Sequence, residues 1–182
     1  SETKNNFLAN GYTGLMFAAI TADTEEVQIH INDANLNSKD PNGSTAIMWA
    51  VKLGHVDIIG RLINAKCDIN IQDANDANRT ALMYAANVGN VAIVKLLLSA
   101  TDIDLDLDIT DSYGHTAIDI AGKIDWRIKR GPCLQALQIK KSKPIIEKWT
   151  SDLRLYSDSL TNEANKNLSF GNGKKAVYLN SA

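Results

Sequence analysis

Four carboxylates in step, Asp102, Asp104, Asp106 and Asp108, are the first place in this 182-residue chain to look for metal chemistry. They alternate with Ile103, Leu105 and Leu107, which in an extended segment sets the carboxylates on one side. Asp104, Asp106 and Asp108 copy the opening spacing of a calcium loop, but Ile109 stands where that loop needs a glycine and His115 where it needs a bidentate glutamate. The strip is read as a solvated face or as an acidic contact for a basic partner, and no metal is expected. Histidines 30, 55 and 115 have no consistent partners in sequence, and no Ser/His/Asp or Cys/His arrangement is visible. Cys67 and Cys133 lie far apart without metal-ligand spacing and read as reduced packing or loop residues, a weak pointer to a reducing compartment. Gly171-Asn-Gly-Lys-Lys175 resembles a phosphate loop only superficially, since the flanking strand, helix and full spacing are missing. No catalytic residue and no cofactor is expected, and the chain does not read as an enzyme.

Phe17, Trp49 and Tyr84 belong to a different pattern, because the residues around them recur. Gly11-Tyr-Thr-Gly-Leu-Met-Phe-Ala-Ala19, Gly43-Ser-Thr-Ala-Ile-Met-Trp-Ala-Val51, Asn78-Arg-Thr-Ala-Leu-Met-Tyr-Ala-Ala86 and Gly114-His-Thr-Ala-Ile-Asp-Ile-Ala-Gly122 align, with Thr13, Thr45, Thr80 and Thr116 in register. Two of the units continue through Gly54-His55-Val56-Asp57-Ile58-Ile59 and Gly89-Asn90-Val91-Ala92-Ile93-Val94 into apolar clusters. Each unit has a physical reading. Asp and Gly (or Asn) make a tight turn, the threonine hydroxyl caps a short helix, and glycine ends that helix by the left-handed route. A second helix follows, with Val56, Ile59, Leu62 and Ile63 at helical spacing. One such helix pair is too small to bury its own apolar face, and stacking pairs side by side makes a continuous core. The aromatic ladder is then packing between units, or alternatively a platform of possible anchors, Trp49 and Tyr84, for a partner's side chain.

With hydrophobic residues at 45% and charged residues at 22%, the composition is that of an ordinary globular domain, and no apolar run is long enough to span a bilayer. No basic patch leading into an apolar stretch opens the chain, so no signal peptide is expected, although a leader removed before Ser1 stays an open alternative. Charge is uneven. Ser1 to Gly122 holds 16 acidic and 7 basic residues, and Lys123 to Ala182 holds 5 acidic and 12 basic.

The turn-Gly-x-Thr-x-Leu-x-x-Ala pattern, the Gly54-His55 linkage and the Asp68-Ile-Asn-x-x-Asp73 finger resemble the ankyrin repeat, over roughly Asn10 to Leu137. The usual proline after the threonine is replaced by Gly14, Ala46, Ala81 or Ala117, and the next histidine by Met16, Met48, Met83 or Asp119. The resemblance implies an all-α ankyrin-repeat solenoid with β-turn or hairpin fingers. Its repeats are expected at about 8–39, 40–72, 73–110 and 111–142, the first with a poor second helix. A capping helix over 143–156 is expected from Pro144 and from Ile145, Ile146, Trp149 and Leu153 at helical spacing. Residues 157–182 read as a basic tail, either mobile or closing a small hairpin at Asn172-Gly173.

The resemblance further implies a protein or peptide partner held on a concave surface of finger tips and inner helices. Those positions are Pro41, Asn42 and Ser44; Asn75, Asp76 and Arg79; Ser112, Tyr113 and His115; and Lys52, Leu53, Asn87 and Val88. An acidic body favours a basic partner. The basic set Arg127, Lys129, Arg130, Lys140, Lys141 and Lys143 lacks aromatic interleaving and reads as a solvated end, so no nucleic acid is expected. Alternatives are a targeting module of a larger enzyme or of a secreted bacterial effector, and an acidic groove regulated by the chain's own basic tail. A cytoplasmic monomer is the expectation, in host cytoplasm if the chain is an effector.

Overall fold

The computed structural model describes residues 2–32, 36–100, 104–123 and 130–178. Contacts divide the chain into two compact units, Ser1–Lys140 and Lys141–Ala182.

The first unit carries α1 (Glu2–Ala9), α2 (Gly14–Thr21), α3 (Thr24–His30), α4 (Ala46–Leu53), α5 (Val56–Asn64), α6 (Ala81–Val88), α7 (Val91–Leu98), α8 (Ala117–Lys123) and the start of α9 (Arg130–Tyr178). Helices α2, α4, α6 and α8 pack in series as an inner row, and α3, α5 and α7 as an outer row, with each inner helix from α2 to α6 also packed on the outer helix that follows it. Flanked on both sides, the inner helices are apolar nearly all round. Ala81 to Ala86 of α6 are all buried, and Ala18, Ala19, Ala50, Ala85 and Ala121 keep the helix faces small enough for close approach. The outer helices bury one stripe each, Ile58, Ile59 and Leu62 in α5 and Ile93, Val94, Leu97 and Leu98 in α7. Each such side chain contributes roughly 1.5–3 kcal/mol by burial.

The four threonines stand at successive inner-helix starts. Thr13 and Thr80 accept from the backbone N–H of Met16 and Met83 at 3.2 and 3.3 Å, whereas Thr45 Oγ1 is buried without a hydrogen-bond partner among the described residues. The methionines do more than fill space. The sulfurs of Met16, Met48 and Met83 accept from the threonine N–H at 3.4, 3.4 and 3.5 Å, and in the fourth repeat the Asp119 carboxylate takes that place at 2.9 Å. Gly54 and Gly89 close α4 and α6 at φ +82° and +69°, as a left-handed stop requires. In the first repeat Ala22 adopts φ +58° instead, a conformation that costs an L-residue roughly 1–2 kcal/mol.

The fingers are turns. Asp40 and Ser44, and Asp111 and His115, are joined N–H to O at 2.9 Å, and the longer third finger forms an isolated antiparallel bridge between Asp73 and Arg79. The two extra residues of that finger are accommodated by Ala77 and Asn78 at positive φ.

Helix α1 runs into the start of the first expected repeat; it buries no residue fully, and Phe7 packs edge-on against Tyr12 and Phe17 at 5.0 and 5.4 Å. One expectation needs correction: the backbone beyond Tyr156 is helical to Tyr178, in place of the hairpin at Asn172-Gly173. No proline follows Pro144 to interrupt it, and helix formation runs through Gly171 and Gly173. Pro144 lies inside α9 and has no N–H for the Lys140 carbonyl, next to the division between the units. Within the second unit Ile145, Ile146 and Leu153 are exposed. Arg127 and Lys129, and the side chains of Arg130 and Trp149, lie outside the described residues.

Candidate functional site

Each finger turn is built on a buried aspartate. Asp40 Oδ1 accepts from the N–H groups of Asn42 and Ser44, Asp73 Oδ1 from Asn75, and Asp111 Oδ1 from Tyr113 and His115, at 2.9–3.2 Å. The tips are then tied to one another. Asn75 Nδ2 donates to the Pro41 carbonyl at 3.2 Å, Asn78 Nδ2 to Ser112 Oγ at 3.0 Å, and Ser112 N–H to the Ala77 carbonyl at 2.8 Å. Lower down, Asn70 bridges the second and third repeats by donating to the Asp104 carbonyl at 2.6 Å and accepting from Asp106 N–H at 3.0 Å. Asp104, Asp106 and Asp108 are exposed, and Asp106 Oδ1 is spent on the N–H of Asp108 at 2.8 Å. Asp102 lies outside the described residues.

Between the second and third repeats a polar network converges on Asp73, which is 1% exposed. Its Oδ2 accepts from Ser44 Oγ, from Lys52 Nζ at 3.1 Å and from Tyr84 OH at 2.9 Å. Tyr84 OH lies equally 2.9 Å from Asp76, so its one hydrogen is shared between the two carboxylates; Lys52 lies over the Tyr84 ring at 4.2 Å and the Trp49 ring at 5.3 Å, and Trp49 Nε1 donates to Asp40 at 2.8 Å. Burial pushes the Asp73 carboxyl up, but the hydrogen bonds from Ser44, Lys52 and Tyr84 outweigh it and hold the group below its ordinary range. Tyr84 is pushed well above a normal phenol, first by burial and then by its two carboxylate partners.

These contacts sort the expected partner residues. Asn42, Ser44, Trp49, Lys52, Asn75 and Asp76 line one recess of about 260 Å³, together with Asp73. Arg79, Asn87, Tyr113 and His115 line a second, of about 270 Å³, with Asp111, Ile120 and Lys123. Pro41, Ser112, Leu53 and Val88 are exposed. Ser44 and Tyr84 are not surface residues, at 1% and 5% exposure. Ser44 is held beneath the next finger by Asp73, and the Tyr84 ring is covered by Lys52, so neither is an open contact. The aromatic ladder is packing at Tyr84, and Trp49 is half-buried. Sequence reasoning missed Asp73, Asp111, Ile120 and Lys123 as lining residues. The recurrence of an aspartate opening each finger, and of residues 52, 87 and 123 seven places after their threonines, was the available signal.

No helix among the described residues is long and apolar enough to cross a membrane, and no group of three or more metal-ligating side chains occurs among them. Compared with known families, residues 1–73 match ankyrin repeats (3 copies) and residues 62–121 match ankyrin repeats (many copies). With matched repeats, threonine-capped inner helices and interlinked finger turns in register, the chain belongs to the ankyrin-repeat family.

Proposed function

We propose that this chain docks a partner polypeptide on the face formed by its finger tips and inner helices. Ankyrin repeats are generally protein–protein interaction modules and typically non-catalytic. The observation that carries the reading is the pair of adjoining recesses. Each combines finger residues with an inner-helix residue, and they are accompanied by exposed Leu53, Val88 and Tyr113, the last 71% exposed. Apolar side chains amid polar groups on a backbone fixed by hydrogen bonds give a binding surface that loses little entropy on docking. A basic side chain of the partner would meet Asp76, whose carboxylate is half exposed, beside the Asp73 network. The end of the third repeat adds the exposed Asp104, Asp106 and Asp108.

The test is capture of partners on the immobilised chain and on an Asn75→Ala, Asp76→Ala, Tyr113→Ala variant, at low and high salt. Loss of a captured protein with the variant, and weakening as salt rises, is the expected result. Equal capture by both forms rejects the face, and capture insensitive to salt rejects the basic character.

A further inference from the structure

We propose that the recess between the third and fourth repeats seats a carboxylate side chain of the partner, held by the Arg79 guanidinium and the Lys123 ammonium. The proposal rests on the docking-face reading and deepens it, because it makes the partner mixed in charge.

The two recesses are repeats of one another, and their difference is informative. In the first, Lys52 is answered from the next finger by Asp73 at 3.1 Å and Asp76 at 4.0 Å, so its charge is internally paired. The residue at the Lys52 position of the third repeat is Asn87, and the residue at the Ser44 position is Arg79. The second recess therefore gains a guanidinium at the finger base, and Lys123 enters from the fourth inner helix.

The carboxylates nearby are already committed. Asp111 is buried, and its Oδ1 accepts two backbone N–H groups at 2.9 Å and faces His115 Nδ1 at 3.4 Å. Asp119 accepts from the Thr116 N–H at 2.9 Å and hydroxyl at 2.6 Å. Asp76 is held by Tyr84 at 2.9 Å and approaches Arg79 no closer than 4.0 Å. Arg79 Nε is buried without a hydrogen-bond partner among the described residues. His115 sits between Asp111 and Lys123. Its Nδ1 lies 3.4 Å from Asp111 Oδ1 and its Nε2 meets the Lys123 ammonium, so both ring nitrogens are occupied.

Among the described residues Arg79 and Lys123 are the two cations that line this recess, and the guanidinium has a buried Nε–H still unanswered. Its planar fork offers paired donors to the two oxygens of a carboxylate. The exposed Tyr113 ring and the Asn87 amide flank the entrance and suit a side chain arriving from an extended segment.

The experiment is titration of the ¹⁵N-labelled full chain with an acetylated, amidated peptide of glycine, serine and one glutamate, and with its glutamine and phosphoserine versions. The glutamate peptide should shift the Arg79 Nε–H and the amides of Tyr113 and His115 saturably, and the glutamine version should bind about tenfold more weakly. Arg79→Gln and Lys123→Gln should each weaken the glutamate peptide at least about fivefold, while Lys123→Arg, which keeps the charge, and Lys52→Gln stay within about twofold. Urea unfolding of each variant confirms that it is folded. Equal binding of the glutamate and glutamine peptides, shifts centred on Asn42 and Asn75, or binding of the phosphoserine peptide alone would each overturn the proposal. If a captured partner is lost with the Asn75, Asp76 and Tyr113 variant but not with Arg79→Gln, the docking face stands and the carboxylate site falls.

Discussion

Replacing Asp73 by asparagine puts the inter-repeat network under direct test. Asparagine keeps an oxygen for the Asn75 N–H but presents an amide donor to Ser44, Lys52 and Tyr84, all of which donate to the aspartate. Removing one member of a buried ion pair costs about 3–5 kcal/mol when the other is left dry. Here Lys52 is a quarter exposed and has Asp76 at 4.0 Å, and Tyr84 keeps its Asp76 bond, so the expected loss is nearer 2–3 kcal/mol, an order-of-magnitude estimate from charge-assisted hydrogen bonds. Equilibrium urea unfolding of Asp73→Asn at pH 7, followed by circular dichroism and by tryptophan fluorescence, measures it. The sign with pH follows from the depressed carboxyl. The stabilisation is complete above the unfolded-state value near about 3.9 and disappears as pH falls through the lower folded-state value. The gap between wild type and variant should therefore be constant from neutral to mildly acidic pH and close below about pH 4. In a double-mutant cycle, Lys52→Met should couple to Asp73→Asn by about 1–2 kcal/mol. A variant as stable as the parent at pH 7, or a deficit that persists undiminished in strong acid, would refute the reasoning.

The caps predict a contrast. Thr80→Val should lose about 1 kcal/mol in urea unfolding, because a hydroxyl that accepts from Met83 is removed, whereas Thr45→Val should be neutral or slightly stabilising, since its buried hydroxyl has no hydrogen-bond partner among the described residues. Gly43→Ala should destabilise by roughly 2 kcal/mol or more in the same assay, with φ at +87° and a new Cβ set 2.9 Å from the backbone N of Ala74 in the next finger. The Cys67 thiol, pushed up to about 12 by burial, should fail to react with a disulfide reagent at neutral pH until urea opens the array. Prompt labelling of native protein at Cys67 would show that the site is not closed.

The helix pairs were legible in the sequence because their signals are local. A threonine that caps, alanines that allow close approach and a glycine at positive φ act within one turn of chain, so Thr45, Ala50 and Gly54 mark α4 without any knowledge of its neighbours. Helix α1 was not legible, since Glu2–Ala9 has no apolar stripe and is tied down by contacts made only in the fold, Phe7 with Tyr12 and Phe17 and Lys4 with Glu26. The recess residues were legible as positions and not as surfaces. Ser44 reads as a turn residue and hence as accessible, yet the next finger covers it; at Tyr84 the packing reading of the aromatic ladder holds and the platform alternative fails, because Lys52 from the preceding repeat lies on the ring. Contacts between residues 21 and 29 places apart, as in Lys52–Asp73 and Ser44–Asp73, depend on how finger follows finger, which no single repeat encodes. The helical run beyond Tyr156 escaped because Asn172-Gly173 carries a turn signal that the surrounding helix overrides.

The methionines behind the threonines carry a consequence for observing this molecule. Met16, Met48 and Met83 are the chain's entire complement, one in each of the first three repeats, and none is more than 1% exposed. Peroxide reaches a thioether only when its surroundings open, and each sulfoxide adds 16 Da to a different proteolytic fragment. Three clocks are thus built into the array, and a time course of oxidation read by mass spectrometry ranks the repeats by how often each one breathes. The fourth repeat, with Asp119 at the same place, stays silent in that record.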